Sequence, residues 1–308
     1  MPADPLSEIL SLLKPRSYMF GGFECGGDWS VRFSGHLGPD IHAIKCYAIA
    51  SGQCWMTVEG VDEPIHLKAG DCFLLPLGRP FLMTSDLALQ PVDYREVFTG
   101  PLNGAVRVVN GGGGFMSVGG FFTLAGSHAA VLLEGLPPVV HLRSESDRAA
   151  LRWAVERIRQ ELREPRPGGF LVSEHLIHMM LVQAFRLHLA DERSGRVGWL
   201  FALADKQMNA AISAMHETPA QRWTVQELAL RAGMSRSGFA ARFKQTVGVS
   251  PMDYLTRWRM LLAGDRLENS REPVAAIALS LGYESESAFS TAFKRVMGCP
   301  PRRYGRAA

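Results

Sequence analysis

Two sets of side chains in this 308-residue chain have types and spacings that could do chemistry. The first is the metal-binding kind. His36 and His42 are separated by five residues, while His66, His128 and His141 stand alone. No His-x-His with a later acid occurs, so three or four convergent ligands are not in sight and no metal or other cofactor is expected. The cysteines, Cys25, Cys46, Cys54, Cys72 and Cys299, include no CxxC pair. They read as reduced thiols that fill strands as small hydrophobes, with redox sensing and metal binding as the alternatives. No catalytic residue is assigned.

The second set is repeated. Val225, Leu228, Ala229 and Ala232 lie at i, i+3, i+4 and i+7 and are followed by Gly233. Val274, Ile277, Ala278 and Leu281 repeat that spacing and are followed by Gly282. After each glycine comes a short turn and a serine, Ser235 or Ser285, placed as a helix N-cap. Phe239/Phe243 and Phe289/Phe293 follow, four apart on one helical face, then Lys244 and Lys294, then Gly248 and Gly298 as helix stops. Each copy reads helix, glycine turn, helix, which is the helix-turn-helix arrangement whose second helix can enter a major groove. Phenylalanines at that spacing also make core. Recurrence of the glycine, the serine and the lysine in register asks for more than packing, and double-stranded DNA is the expected partner.

The early outward positions of each second helix should meet base edges. These are Arg236, Ser237, Ala240 and Ala241 in the first copy, and Glu286, Ser287, Ser290 and Thr291 in the second. Arg242, Lys244, Lys294 and Arg295 are placed for phosphate, which sets register and salt dependence more than sequence choice.

The elements that must hold these residues are also legible. Thr224-Val225-Gln226-Glu227 is a capping box, with Trp223 and Leu228 at the staple positions. Pro273 opens the equivalent helix of the second copy, where its missing N–H costs nothing. Between the copies, Ser250-Pro251-Met252-Asp253 starts a helix to about Leu267, roughly 22 Å long at 1.5 Å per residue. Tyr254, Leu255, Trp258 and Leu262 give it a buried stripe and leave Arg257, Arg259 and Arg266 wet.

Upstream the texture differs. Short β-prone runs such as Cys46–Ala50 and Cys54–Val58, cut by Gly and Pro turns, predict a sandwich or barrel, with Gly111–Gly114 as a flexible loop between strands. From Ser144 on, Leu151, Val155, Ile158 and Leu162 predict one helix, stopped by Pro165–Gly169. A second, from Phe170 to about Ala190, is apolar nearly all round, so it lies between domains or forms a dimer contact; the dimer is favoured. Asp191–Arg196 is a polar linker. Residues 1–142 carry 8 Lys and Arg against 13 Asp and Glu, whereas residues 198–308 carry 15 against 9, so basic charge gathers at the C-terminal end. No run of 18 apolar residues and no signal core is present, which predicts a cytoplasmic protein without membrane contact.

The last segment, about residues 199–306, resembles the AraC/XylS family of transcription factors. The resemblance rests on Leu228-Ala229, Gly233-Met234-Ser235, Phe243-Lys244, Gly248–Pro251, Tyr254-Leu255, Ala276-Ile277-Ala278, Gly282–Ser285, Phe289, Phe293–Arg295 and Gly298–Tyr304. Gly70-Asp71, Pro76, Gly78 and Phe81 are similar to the second motif of the cupin barrels, with Phe81 where a metal-binding member has histidine. The family often has arginine at the positions of Ala241 and Thr291. Without it a guanine contact there is not expected, and specificity leans on Arg236, Ser287 and DNA shape.

The expected fold is a two-domain α+β chain: a cupin-like β-barrel (1–142), a helical linker and possible dimerisation segment (143–197), and an all-α domain with two helix-turn-helix units (198–308). The resemblance implies a DNA-binding regulator rather than an enzyme, acting as a homodimer and as an activator that meets RNA polymerase. It also implies a barrel that senses a small molecule or supports dimerisation, with Trp55 or Phe73 lining or filling it. The residues leave open a sugar, an aromatic acid, a fatty acid or a redox signal. The rival readings are a metal-dependent cupin enzyme with a DNA-binding tail and a non-sensing architectural DNA binder.

Overall fold

The computed structural model describes residues 4–13, 15–34, 42–98, 104–124, 136–142, 148–190 and 202–304. His36, His128 and the 191–196 linker fall outside them. Two compact units are present: residues 15–124 with 137–191, and residues 1–14 and 125–136 with 192–308.

The first unit is built on two facing sheets. One has six strands in the order β11 (Val140–Leu142), β6 (Cys72–Leu75), β3 (His42–Ser51), β10 (Phe115–Leu124), β1 (Pro15–Cys25) and β9 (Ala105–Val109). The other has five: β5 (Ile65–Lys68), β4 (Gln53–Val58), β7 (Phe81–Thr84), β2 (Ser30–Phe33) and β8 (Val92–Asp93). Pairings are antiparallel except β1 with β9 and β2 with β8. This two-sheet build is the sandwich-or-barrel texture read from the short strands. The core between the sheets includes Phe23, Trp29, Met56, Leu67, Phe73, Phe81 and Phe115. A single helical turn, α2 (Tyr94–Val97), follows β8.

Side-chain alternation decides which aromatics face inward. Along β4, Cys54, Met56 and Val58 are buried while Trp55 is half-buried, its ring tilted against His66 with centroids 4.6 Å apart. Trp55 is therefore out of phase with the interior. Phe73 fills the core, completely buried and edge-on to Phe81. Cys25, Cys46, Cys54 and Cys72 are buried free thiols on the strands, and Cys299 is half-buried. Burial pushes Cys25 up to about 12. The Gly111–Gly114 tract does connect β9 to β10, but as a tied turn: Gly112 donates to the Val109 carbonyl, Gly113 to the Glu24 carboxylate and Gly114 to the Cys25 carbonyl.

Two helices complete this unit, α3 (Arg148–Arg163) and α4 (Gly169–Ala190). Leu151, Ala154, Ile158 and Leu162 form the buried seam of α3, so Ala154 rather than the half-buried Val155 holds the middle. The apolar run of α4 is not buried all round: Phe170, Leu171 and Val172 stay exposed at its start, as does Trp153 on α3.

The second unit is helical: α1 (Pro5–Leu13), α5 (Lys206–Glu217), α6 (Val225–Arg231), α7 (Arg236–Val247), α8 (Pro251–Asn269), α9 (Val274–Ser280), α10 (Glu286–Met297) and the short α11 (Pro301–Tyr304). The N-terminal helix α1 packs against α5 and α8, burying Leu6, Ile9 and Leu12. No described helix is long and apolar enough to cross a membrane.

Candidate nucleic-acid interface

The two helix pairs are framed by the same local chemistry. Both first helices end in a left-handed glycine, Gly233 at φ 64° and Gly282 at φ 81°. Around each, two backbone bonds run backwards: Gly233 to Leu230 and Met234 to Ala229, then Gly282 to Leu279 and Tyr283 to Ala278. That is the Schellman arrangement, and it needs a residue without a Cβ penalty at the bend. A Cβ on Gly282 would also lie 2.3 Å from the Ala220 carbonyl oxygen. The second turn is one residue longer, yet both second helices start on a serine whose Oγ accepts from the third residue on, Gly238 or Ala288, at 3.2 Å.

Each pair then closes on its own core. Phe239, Phe243, Phe289 and Phe293 are completely buried. Ring centroids are 5.5 Å apart in the first pair and 5.6 Å in the second. Helices α7 and α10 stop at left-handed Gly248 and Gly298, whose N–H groups donate to the carbonyls of Lys244 and Lys294. The capping box on α6 is complete: Thr224 Oγ1 accepts from the Glu227 N–H, and Glu227 accepts from the Thr224 N–H at 2.7 Å. Those donors hold the Glu227 carboxyl below the usual range. Pro273 sits one place earlier than the sequence suggests, as the N-cap of α9 rather than its first residue, and brings no side-chain cap.

Helix α8 joins the pairs. At 19 residues it is longer than its sequence pattern suggests, about 28 Å at 1.5 Å per residue. Tyr254, Leu255 and Trp258 are buried as expected, and Arg257 is exposed. Arg259 and Arg266 are not left wet. Arg259 donates to the carbonyls of Pro219 (2.6 Å) and Gln221 (2.8 Å) and lies over the Tyr283 ring. Burial pulls its guanidinium below the ordinary value, with Tyr283 working against that. Arg266 pairs with Glu272 and donates to Ser280 Oγ on α9. Two carbonyls ahead of α6, the Glu272 carboxylate and a hydroxyl on α9, which no pattern along α8 displays, recruit both arginines. Arg266 ties the second pair to α8, whereas the Arg259 hydrogen bonds tie α8 to the segment ahead of α6 and its guanidinium touches the second pair through the Tyr283 ring.

The expected contact residues fall as follows. Arg236, Ser237, Ala241, Ser287 and Thr291 are exposed, and Ala240 and Ser290 are half-buried. Lys244, Lys294 and Arg295 are exposed, and together with Arg236 they form no ion pair among the described residues. Three residues have partners within the protein. Arg242 reaches across to α5, bonding Asp205 at 2.5 Å and Gln207 at 2.8 Å. Glu286 pairs with Arg302 at 3.1 Å. Thr291 Oγ1 donates to the Ser287 carbonyl, leaving its methyl group free to point elsewhere. Sequence reasoning missed Asp205 as an anchor. It is the N-cap of α5, its Oδ1 accepting from Gln207 and Met208, and its other oxygen holds Arg242.

A two-sheet domain followed by two such framed helix pairs defines a DNA-binding regulator of transcription. The sequence relatives say the same. A Cupin family model matches residues 4–190 and a Helix-turn-helix domain model matches residues 228–307. The chain is 43% identical over 302 residues to a putative AraC-like transcription regulator of Streptomyces lividans, covering 98% of this chain and 97% of that one. It is 44% identical to another from Streptomyces antibioticus, covering 98% of both. Among solved structures it is similar to the DNA-binding domain of AdpA in complex with a target DNA, at 33% identity and TM-score 0.31, covering 32% of this chain and 87% of that one.

The chain belongs to the AraC-like family of transcription regulators, with a cupin N-terminal domain and a helix-turn-helix C-terminal domain. These relatives are regulators, not enzymes.

Proposed function

We propose that α7 and α10 both read a promoter, in adjacent turns of the major groove, and that the cupin domain sets how often the site is occupied. Base edges meet Arg236, Ser237, Ala240 and Ala241 from α7, and Glu286, Ser287, Ser290 and Thr291 from α10. Lys244, Lys294, Arg295 and Arg242 meet phosphate, Arg242 by leaving Asp205. The observation that carries this reading is the matched framing of the two helices: the same glycine bend, serine cap and buried phenylalanine pair hold each one. Arg236, Ser237, Ser287 and Thr291 all stay exposed on the helices so held.

The cupin domain, residues 1–142 by the sequence division, senses a small molecule. Phe81 occupies the place of a metal-binding histidine and is buried against Phe33 at 4.5 Å, which argues against metal chemistry there. The segment 143–197 supports a homodimer, since Trp153, Phe170, Leu171 and Val172 expose large apolar side chains. The regulator acts in the cytoplasm, as an activator that contacts RNA polymerase. Selection of bound duplexes from a random pool, with the full chain near physiological salt, tests the DNA reading. Two constrained segments about 10 base pairs apart are expected, and a repeated site if the protein dimerises. A single enriched segment would mean that one helix pair grips backbone only.

A further inference from the structure

The cupin domain holds a half-open cavity of about 160 Å³ between its sheets. An engineered apolar cavity of roughly that size holds one benzene ring. Four glycines lie along its wall, Gly21 and Gly22 on β1 and Gly119 and Gly120 on β10, with Gly21 directly opposite Gly119. Glycine in a strand interior weakens the sheet, and is kept where another group must come close. Aromatic rings from both sheets and the α2 turn, Phe23, Phe33, Tyr47, Phe81, Tyr94 and Phe98, also line the space.

Two cations share this apolar wall. Lys45 is buried, donates to the Arg79 carbonyl at 3.0 Å and lies 5.0 Å from the Phe81 ring centre. No carboxylate among the described residues pairs with it, and burial pulls its ammonium down to about 8. Arg107 on β9 lines the same space, and its Nε and Nη2 are both buried with no hydrogen-bond partner among the described residues. A buried guanidinium edge left unpaired is expensive, and the group that answers it best is a planar carboxylate accepting two parallel bonds. A phosphate dianion would ask for more polar donors than this wall offers.

We propose that the cavity binds a small organic carboxylate, its acid group on Arg107 with Lys45 as second cation, its apolar body against the aromatic wall. This rests on the reading of the cupin domain as the sensing part. Titration calorimetry on the full chain with benzoate and hexanoate, beside benzyl alcohol and hexanol, tests it. The acids should bind and the alcohols should not. Arg107→Met, which removes an unpaired buried charge and so should fold at least as well, should weaken acid binding about tenfold or more. Lys45→Met should weaken it less. Alcohols binding as tightly as acids, Arg107→Met binding them unchanged, or no acid binding at all would overturn the proposal. Duplex affinity measured with and without each bound compound separates the two ideas. If alcohols bind and shift it, sensing stands and the carboxylate falls. If acids bind and do not shift it, the carboxylate stands and sensing falls.

Discussion

The two helix pairs share a frame and differ in what surrounds it. The first is heavily tied. Its opening helix has a full capping box, its second helix is anchored to α5 through Arg242 and Asp205, and α1 packs on the helices α5 and α8 beside it. The second opens on Pro273 without a side-chain cap, carries a longer turn, and is met from α8 by Arg266, which bonds Ser280, and by Arg259, which lies over the Tyr283 ring. The faces differ in charge as well. The first turn of α7 offers Arg236 and no acid, whereas that of α10 offers Glu286, paired with Arg302. The two copies share the residues that bend and cap the chain and differ at the positions proposed to face the groove. Arginine suits the acceptor edge of guanine, while a carboxylate accepts from the cytosine amino group and a threonine methyl meets thymine. The two pairs should therefore prefer different bases.

The largest effect that would break this comparison comes from the shared frame. Phe243→Ala and Phe293→Ala each empty a completely buried ring site, at a cost of about 3–5 kcal/mol. Each should abolish recognition of one segment of the DNA site and leave the other, read by footprinting with melting measured alongside. Loss of both segments with either substitution would mean that the pairs do not act as separate readers.

Next comes the divergence itself. Arg236 is exposed and free of acid partners among the described residues, so Arg236→Ala should weaken binding by about 1–3 kcal/mol and relax choice at one position. Ser287→Ala should relax choice at a different position, by less. If Arg236→Ala lowers affinity equally for all duplexes, Arg236 is a phosphate contact and the reading of α7 must shift along the helix.

What could be read from sequence follows this same division. The glycine bends, serine caps and paired phenylalanines were legible because each acts within a few residues of itself, so spacing alone displays it. The roles of Arg259, Arg266 and Asp205 were not, since the Pro219 carbonyl, the Ser280 hydroxyl and the Arg242 guanidinium that they bond lie about a dozen to forty residues away. In the cupin domain the strand texture was legible. The cavity was not, because it depends on register: Gly21 has meaning only once it stands opposite Gly119. Trp55 shows the same limit, since one step of phase along β4 moves it off the interior.

The smallest expected difference between the pairs is one of pH, and it belongs to the first. His216 at the end of α5 is buried and stacks on Trp258 at 3.7 Å. Its Nδ1 lies 2.9 Å from Glu8 Oε2 on α1 and its Nε2 2.9 Å from the Tyr254 hydroxyl on α8. Burial lowers its pKa, with the Glu8 hydrogen bond and charge opposing that in part. The neutral ring fits these partners: Nδ1–H donates to Glu8, and Nε2 accepts from Tyr254, whose own proton is held tightly by burial. A histidine with a folded pKa below its unfolded value, about 6.5, stabilises the fold fully above that pH. The contribution is lost as pH falls from there towards the folded value. Amide exchange in α6 and α7 should therefore speed up between pH 7.5 and 5.5, after correction for intrinsic rates, more than exchange in α9 and α10. His216→Gln, which keeps a donor towards Glu8 but does not titrate, should remove that excess. Equal acceleration in both pairs, or an unchanged excess in His216→Gln, would place the acid sensitivity elsewhere and leave the two pairs alike in this respect.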